Sequence, residues 1–123
     1  MPIKPYVPVW ELPCWLHAIC ETTGTPEAKV KKLAIKEGWD GKSDGLAAAK
    51  VIGIVWSIHG KMPDLTLTKL AKGKTAKQFS GEGLAAGKTG LVFTRAHVMP
   101  MSNGVVSNFN GYGDDEVVIV ATY

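Results

Sequence analysis

The sequence predicts an α+β domain, with N-terminal helices packed on a small C-terminal antiparallel β-sheet. Three observations predict it. Apolar residues in the first half recur at helical spacing, most clearly Trp15, Leu16, Ala18 and Ile19. From Thr89 the period changes to two. Asn103-Gly104 then stands between two short apolar runs, the strongest short-range hairpin signal. At 123 residues, 46% apolar and 20% charged, the chain has the length of one domain and is too apolar for disorder.

Residues 1–11 carry Pro2, Pro5 and Pro8 at every third position. Proline neither continues a helix nor donates to a ladder, so this stretch is predicted as a proline-rich extended arm and residues 12–123 as a single domain. The first helix is predicted from about Pro13 to Thr23, with proline in the first turn and Gly24 as its stop. The second has the clearest start: Thr25 caps, Pro26 takes the first helical position, and Glu27 complements the dipole. Val30, Leu33 and Ala34 form its buried face and Gly38 ends it.

The third helix is predicted from Ser43 or Asp44 to about Ile58. Its run Val51, Ile52, Ile54, Val55, Trp56, Ile58 leaves almost no polar face, which reads as the central buried helix. A buried strand from Val51 to Ile58 is the alternative. Residues 64–88 offer weak helical turns starting at Thr66 and Thr75. Leu91 to Arg95 reads as a strand, His97 to Met101 and Val105 to Phe109 as a hairpin, and Glu116 to Tyr123 as a final strand. Pro100 inside the hairpin implies an edge position or a bulge.

Fourteen Lys and Arg against eleven Asp and Glu give a net charge of +3. Only Arg95 is an arginine, the side chain suited to bidentate phosphate and guanine contacts, so a nucleic-acid partner is not expected. Lys61, Lys69, Lys72, Lys74, Lys77 and Lys88 form a loose basic segment without interleaved aromatics, which reads as a solvated face. GLAAGKTG does not make a phosphate-binding loop. The glycine required five positions before Gly87-Lys88 is Glu82, and a strand follows, not a helix. No cofactor is expected.

No apolar run has the length of a signal peptide or membrane span, so a protein of a reducing compartment with free thiols is expected. The two cysteines, Cys14 and Cys20, lie six apart on one predicted helix. That spacing turns about 240° around the axis, which argues against a mutual disulfide. No second Cys or His pair completes a zinc site, and no metal is expected. Cys20 reads as core filler. Cys14 falls in a first helical turn, where the macrodipole and N–H groups lower a thiol pKa and favour an oxyanion.

A nucleophilic cysteine needs a base brought from elsewhere in the chain. His17 shares a helix face with Cys14 and reads as an amphipathic, half-exposed histidine; His59 reads as a partner for a helix C-terminus. His97 opens a hairpin strand. With Asn103 and Gly104 as turn residues, pairs sum to 207, so His97 faces Asn110 and Met99 faces Asn108. His97, Asn108 and Asn110 then share one face, and either asparagine is placed to fix the imidazole. Cys14, His97 and Asn108 are therefore the candidate catalytic residues, with Asn110 the geometric alternative.

PCWLHAICETTGTP is similar to the cysteine helix of small papain-like cysteine peptidase domains, especially short phage-encoded ones. TAKQFSGEGLAAGKTGLVFTRAHVMPMSNGVVSN resembles their C-terminal half: short helix, glycine turn, strand, then a histidine on the next strand. The resemblance implies a papain-like fold, with Cys14 as nucleophile, His97 as general base and Asn108 as orienting residue. Such enzymes place a Gln or Asn before the cysteine, whereas here Trp10, Glu11, Leu12 and Pro13 precede it, leaving backbone N–H groups as oxyanion donors.

Two functions follow from the resemblance. The first is a thiol hydrolase cleaving a peptide, isopeptide or amide bond in a protein or peptide substrate. The alternative is a catalytically idle papain-like scaffold, serving as a binding module for a host protein or as a small virion component. Both imply a place in the host cytoplasm or the virion, with no membrane partner.

Overall fold

The computed structural model describes residues 13–43 and 45–123. The proline-rich arm at 1–11, together with Leu12 and Asp44, lies outside the described residues. Five helices precede a four-stranded antiparallel sheet among these residues.

Helix α1 spans Cys14–Thr23. Pro13 is its N-cap, one position earlier than a first-turn proline, because its ψ of 138° is extended. The Pro13 carbonyl accepts from the His17 amide at 3.1 Å, which makes Cys14 the first helical residue. Gly24 ends the helix in the left-handed conformation, φ 71°.

Helix α2 spans Glu27–Lys36 and starts one residue late in the same way: Pro26 caps with ψ 146°. Thr25 therefore falls one position outside the cap, and its hydroxyl accepts from the Thr23 hydroxyl at 2.8 Å.

Helix α3 spans Ala48–His59, so Val51–Ile58 is helical and not a strand. It begins after the predicted Ser43 or Asp44 because Ser43 is tied into a turn. Asp40 Oδ1 accepts from the Ser43 amide at 2.7 Å, and the Ser43 carbonyl accepts from the Trp39 indole at 2.8 Å. Nor is α3 buried all round. Val51, Ile54 and Val55 face the core, but Trp56 is 49% exposed. The central helix is α1, whose Trp15, Leu16, Ala18 and Ile19 are all buried and which packs against α2, α3 and the sheet.

Helices α4 (Thr68–Ala71) and α5 (Ala76–Gly81) are short. The first starts two residues beyond Thr66. The second starts at the expected Thr75, which is its N-cap, its hydroxyl accepting from the Gln78 amide while the Gln78 side chain accepts from the Thr75 amide.

Strands β1 (Gly90–Phe93), β2 (Val98–Ser102), β3 (Val105–Val106) and β4 (Ile119–Thr122) lie in the order β3-β2-β1-β4. Leu91, Phe93, Val98 and Ala121 face the core built on α1, α2 and α3. Val92, Met99, Met101 and Val120 face a second core capped by Phe79 of α5. The sheet is thus covered on both faces, and all four residues of β1 are buried.

The β2–β3 hairpin has the predicted register, Met101 opposite Val106 and Ser102 opposite Val105. Asn103 and Gly104 both take positive φ, 56° and 84°, as a type I′ turn requires. β3 is shorter than predicted: Asn108 at φ 60° turns the chain out of the ladder. This accommodates Pro100. β2 lies inside the sheet, but β3 covers only Met101 and Ser102, so the missing Pro100 N–H falls where the ladder ends.

Candidate functional site

A cleft of about 610 Å³ opens where the start of α1, the approach to α3, the β1–β2 turn and the segment after β3 meet. Cys14, His97, Asn108 and Asn110 all line it, so residues nearly a hundred positions apart share one cavity. His17, Arg95 and Tyr112 line it too. Among the described residues, no three His, Cys, Asp or Glu side chains are grouped as a metal site.

Cys14 is half-buried, at the positive end of the α1 dipole. Cys20 sits one turn and a half further along and packs beside the helical core. Burial first, and Glu27 second, push its thiol pKa up. The two thiols therefore differ in environment: one at a helix start in an open cleft, the other held protonated against apolar neighbours.

His97 is only 8% exposed. It closes a tight turn: the Thr94 amide donates to the His97 carbonyl at 2.8 Å, and the Thr94 hydroxyl accepts from the His97 amide at 3.2 Å. The imidazole Nε2 lies 3.0 Å from the main-chain carbonyl oxygen of Asn108. A carbonyl can only accept, so Nε2 carries a proton, and the neutral tautomer that fits this contact is the one with its lone pair on Nδ1. The orienting contact at residue 108 therefore comes from its backbone. The expectation of a shared strand face for His97, Asn108 and Asn110 needed the ladder to continue. Both asparagines instead have left-handed backbone, φ 60° and 47°.

Tyr112 stacks on His97, ring centroids 4.7 Å apart and planes 20° from parallel. Its loop is fastened to the N-terminus of α5, where the Lys77 amide donates to the Gly113 carbonyl at 2.9 Å and the Ala76 amide to that of Asp115 at 3.1 Å. Those amides have no partner within their own helix, so the loop satisfies them and is held by them. No period or motif marks Tyr112 in the sequence. A weak hint is the cluster Asn108, Asn110, Gly111 before it, a signature of left-handed backbone.

His17 is partly buried, and its Nε2 pairs with Glu21 Oε1 at 2.9 Å along α1. His59 sits at the end of α3 as expected, its ring 4.8 Å from that of Tyr123. In the basic segment, Lys74 pairs with Glu82 at 2.8 Å and Lys77 approaches Asp114 at 3.8 Å.

Among the described residues no helix is long and apolar enough to cross a membrane. Compared with known proteins, the chain matches no protein-family model, no curated protein and no solved structure.

Proposed function

We propose that the protein is a thiol hydrolase of papain-like type, cleaving a peptide, isopeptide or amide bond. One observation carries the reading. A histidine whose Nε2–H is held by a backbone carbonyl lines the same cleft as a cysteine in the first turn of a helix. In the reaction His97 Nδ1 takes the Cys14 thiol proton, and the thiolate attacks the substrate carbonyl carbon. The developing oxyanion lies toward the α1 N-terminus. The C–N bond breaks as His97 returns the proton to the amine, leaving a thioester on Cys14. Water, deprotonated by His97, then releases the acid and restores the thiol.

The likeness of PCWLHAICETTGTP to short phage-encoded peptidase domains supports a phage origin, with action in the host cytoplasm or within the virion.

Iodoacetamide labelling tests the chemistry. Cys14 is expected to react well below pH 8, at least about tenfold faster than Cys20, and His97→Ala should remove most of that advantage. Equal, slow labelling of both thiols would sink the reading. A fast Cys14 with no cleavage of any peptide, and full biological effect in Cys14→Ser, would point instead to the idle scaffold acting as a binding module.

A further inference from the structure

The cleft carries a charge pattern that the thiol chemistry does not use. Among the described residues lining it, Arg95 is the one permanently charged side chain and none is a carboxylate. Of the fourteen Lys and Arg residues in the chain, Arg95 is the single arginine. None of the described lysines lines this cleft. Arg95 is exposed and makes no ion pair among the described residues. Glu21, the carboxylate that touches the cleft wall through His17, is already paired there.

The placement of Arg95 is fixed by its backbone. It lies inside the Thr94–His97 turn, which is closed by the Thr94 amide on the His97 carbonyl at 2.8 Å and by the Thr94 hydroxyl on the His97 amide at 3.2 Å. Arg95 is thereby placed two residues before His97, exposed and lining the same cavity. Its planar fork of donors matches a carboxylate, and the attraction grows as a bound ligand displaces water.

We propose that Arg95 determines specificity: it receives a carboxylate of the substrate, so that the bond cleaved at Cys14 is one with an acidic group close beside it. This rests on the reading of Cys14 as a nucleophile.

Iodoacetate and iodoacetamide test it without a known substrate. Each forms the same sulfur–carbon bond with loss of iodide, and they differ by one negative charge. Rate constants at Cys14 are measured for both by mass spectrometry, in the wild type, Arg95→Gln and Arg95→Lys. The ratio of iodoacetate to iodoacetamide rates is expected to fall about fivefold in Arg95→Gln, and less in Arg95→Lys, which keeps the charge but loses the fork. Added salt, at about 0.5 M, should lower the wild-type ratio more than that of Arg95→Gln. A Cys14 that reacts fast with iodoacetamide, but whose ratio is the same in wild type and Arg95→Gln, overturns the acidic-substrate inference alone. A Cys14 no faster than Cys20, and indifferent to His97→Ala, overturns the nucleophile reading and this inference with it.

Discussion

At the scale of single residues, Asn108 contributes through its backbone. Its carbonyl holds the His97 Nε2–H at 3.0 Å, and its φ of 60° aims that carbonyl. Asparagine tolerates this conformation and glycine adopts it freely, whereas a β-branched residue is strained there. Asn108→Val is therefore expected to slow Cys14 alkylation by about tenfold and to lower stability by about 1–2 kcal/mol. Asn108→Gly should retain far more of the reactivity. Equal loss in the two variants, read from iodoacetamide kinetics, would show that the side-chain amide is what matters. That Cys14 stands at a helix start and His97 beside a hairpin strand was legible because both elements have local sequence signals, and the structure brings the two residues to one cleft. The strand face expected for Asn108 was not, since it assumed a ladder that a left-handed residue cuts short. Tyr112 was invisible for a related reason: its stacking depends on a loop anchored to the α5 amides, a tertiary contact with no local pattern.

At the scale of elements, the sheet is closed by a close approach at Gly90. A Cβ there would lie 1.9 Å from the Ala121 carbonyl oxygen and 2.8 Å from the Thr122 Cα. Both are backbone atoms of β4, the strand paired with β1, so nothing flexible can yield. Gly90→Ala is expected to push β1 and β4 apart and to cost about 3 kcal/mol. A urea-unfolding midpoint equal to the wild type would refute the close approach. The sequence marked the strand but not this constraint, because glycine before a β-run reads equally well as a turn. Helix ends were legible where the capping chemistry was complete, as at Thr75, where both bonds of the box form. They shifted by a residue at Pro13 and Pro26, where an extended ψ makes the proline the cap. The start of α3 was obscured by Asp40, whose side chain draws Ser43 into a local turn and out of a capping role. An exposed Trp56 could not be foreseen either, since hydropathy does not say which face of an apolar helix finds a partner.

At the scale of the whole molecule, Tyr123 joins the sheet to the helical layer. Its amide donates to the Thr89 carbonyl at 3.0 Å, its ring lies against His59 at the end of α3, and its hydroxyl bonds the Thr22 hydroxyl of α1. Burial pushes its phenol pKa up to about 12, with the Thr22 hydrogen bond acting in the opposite direction. In the unfolded chain the same phenol ionises near 10. Between those values the unfolded state has given up a proton that the folded state keeps, so rising pH favours unfolding. The contribution is fully present below about pH 10 and is lost as pH climbs toward 12, a fall of about 2–3 kcal/mol. Every other ionisable group is shared with a Tyr123→Phe variant and cancels in the comparison. That variant should show a constant offset from the lost Thr22 bond and a flatter stability profile above pH 10. Urea unfolding of both proteins at steps from about pH 9 to 12 measures the difference directly. Profiles that stay parallel across the window would mean that the Tyr123 hydroxyl reaches water in the native state, and that the link from β4 to α1 carries less of the fold than its contacts imply.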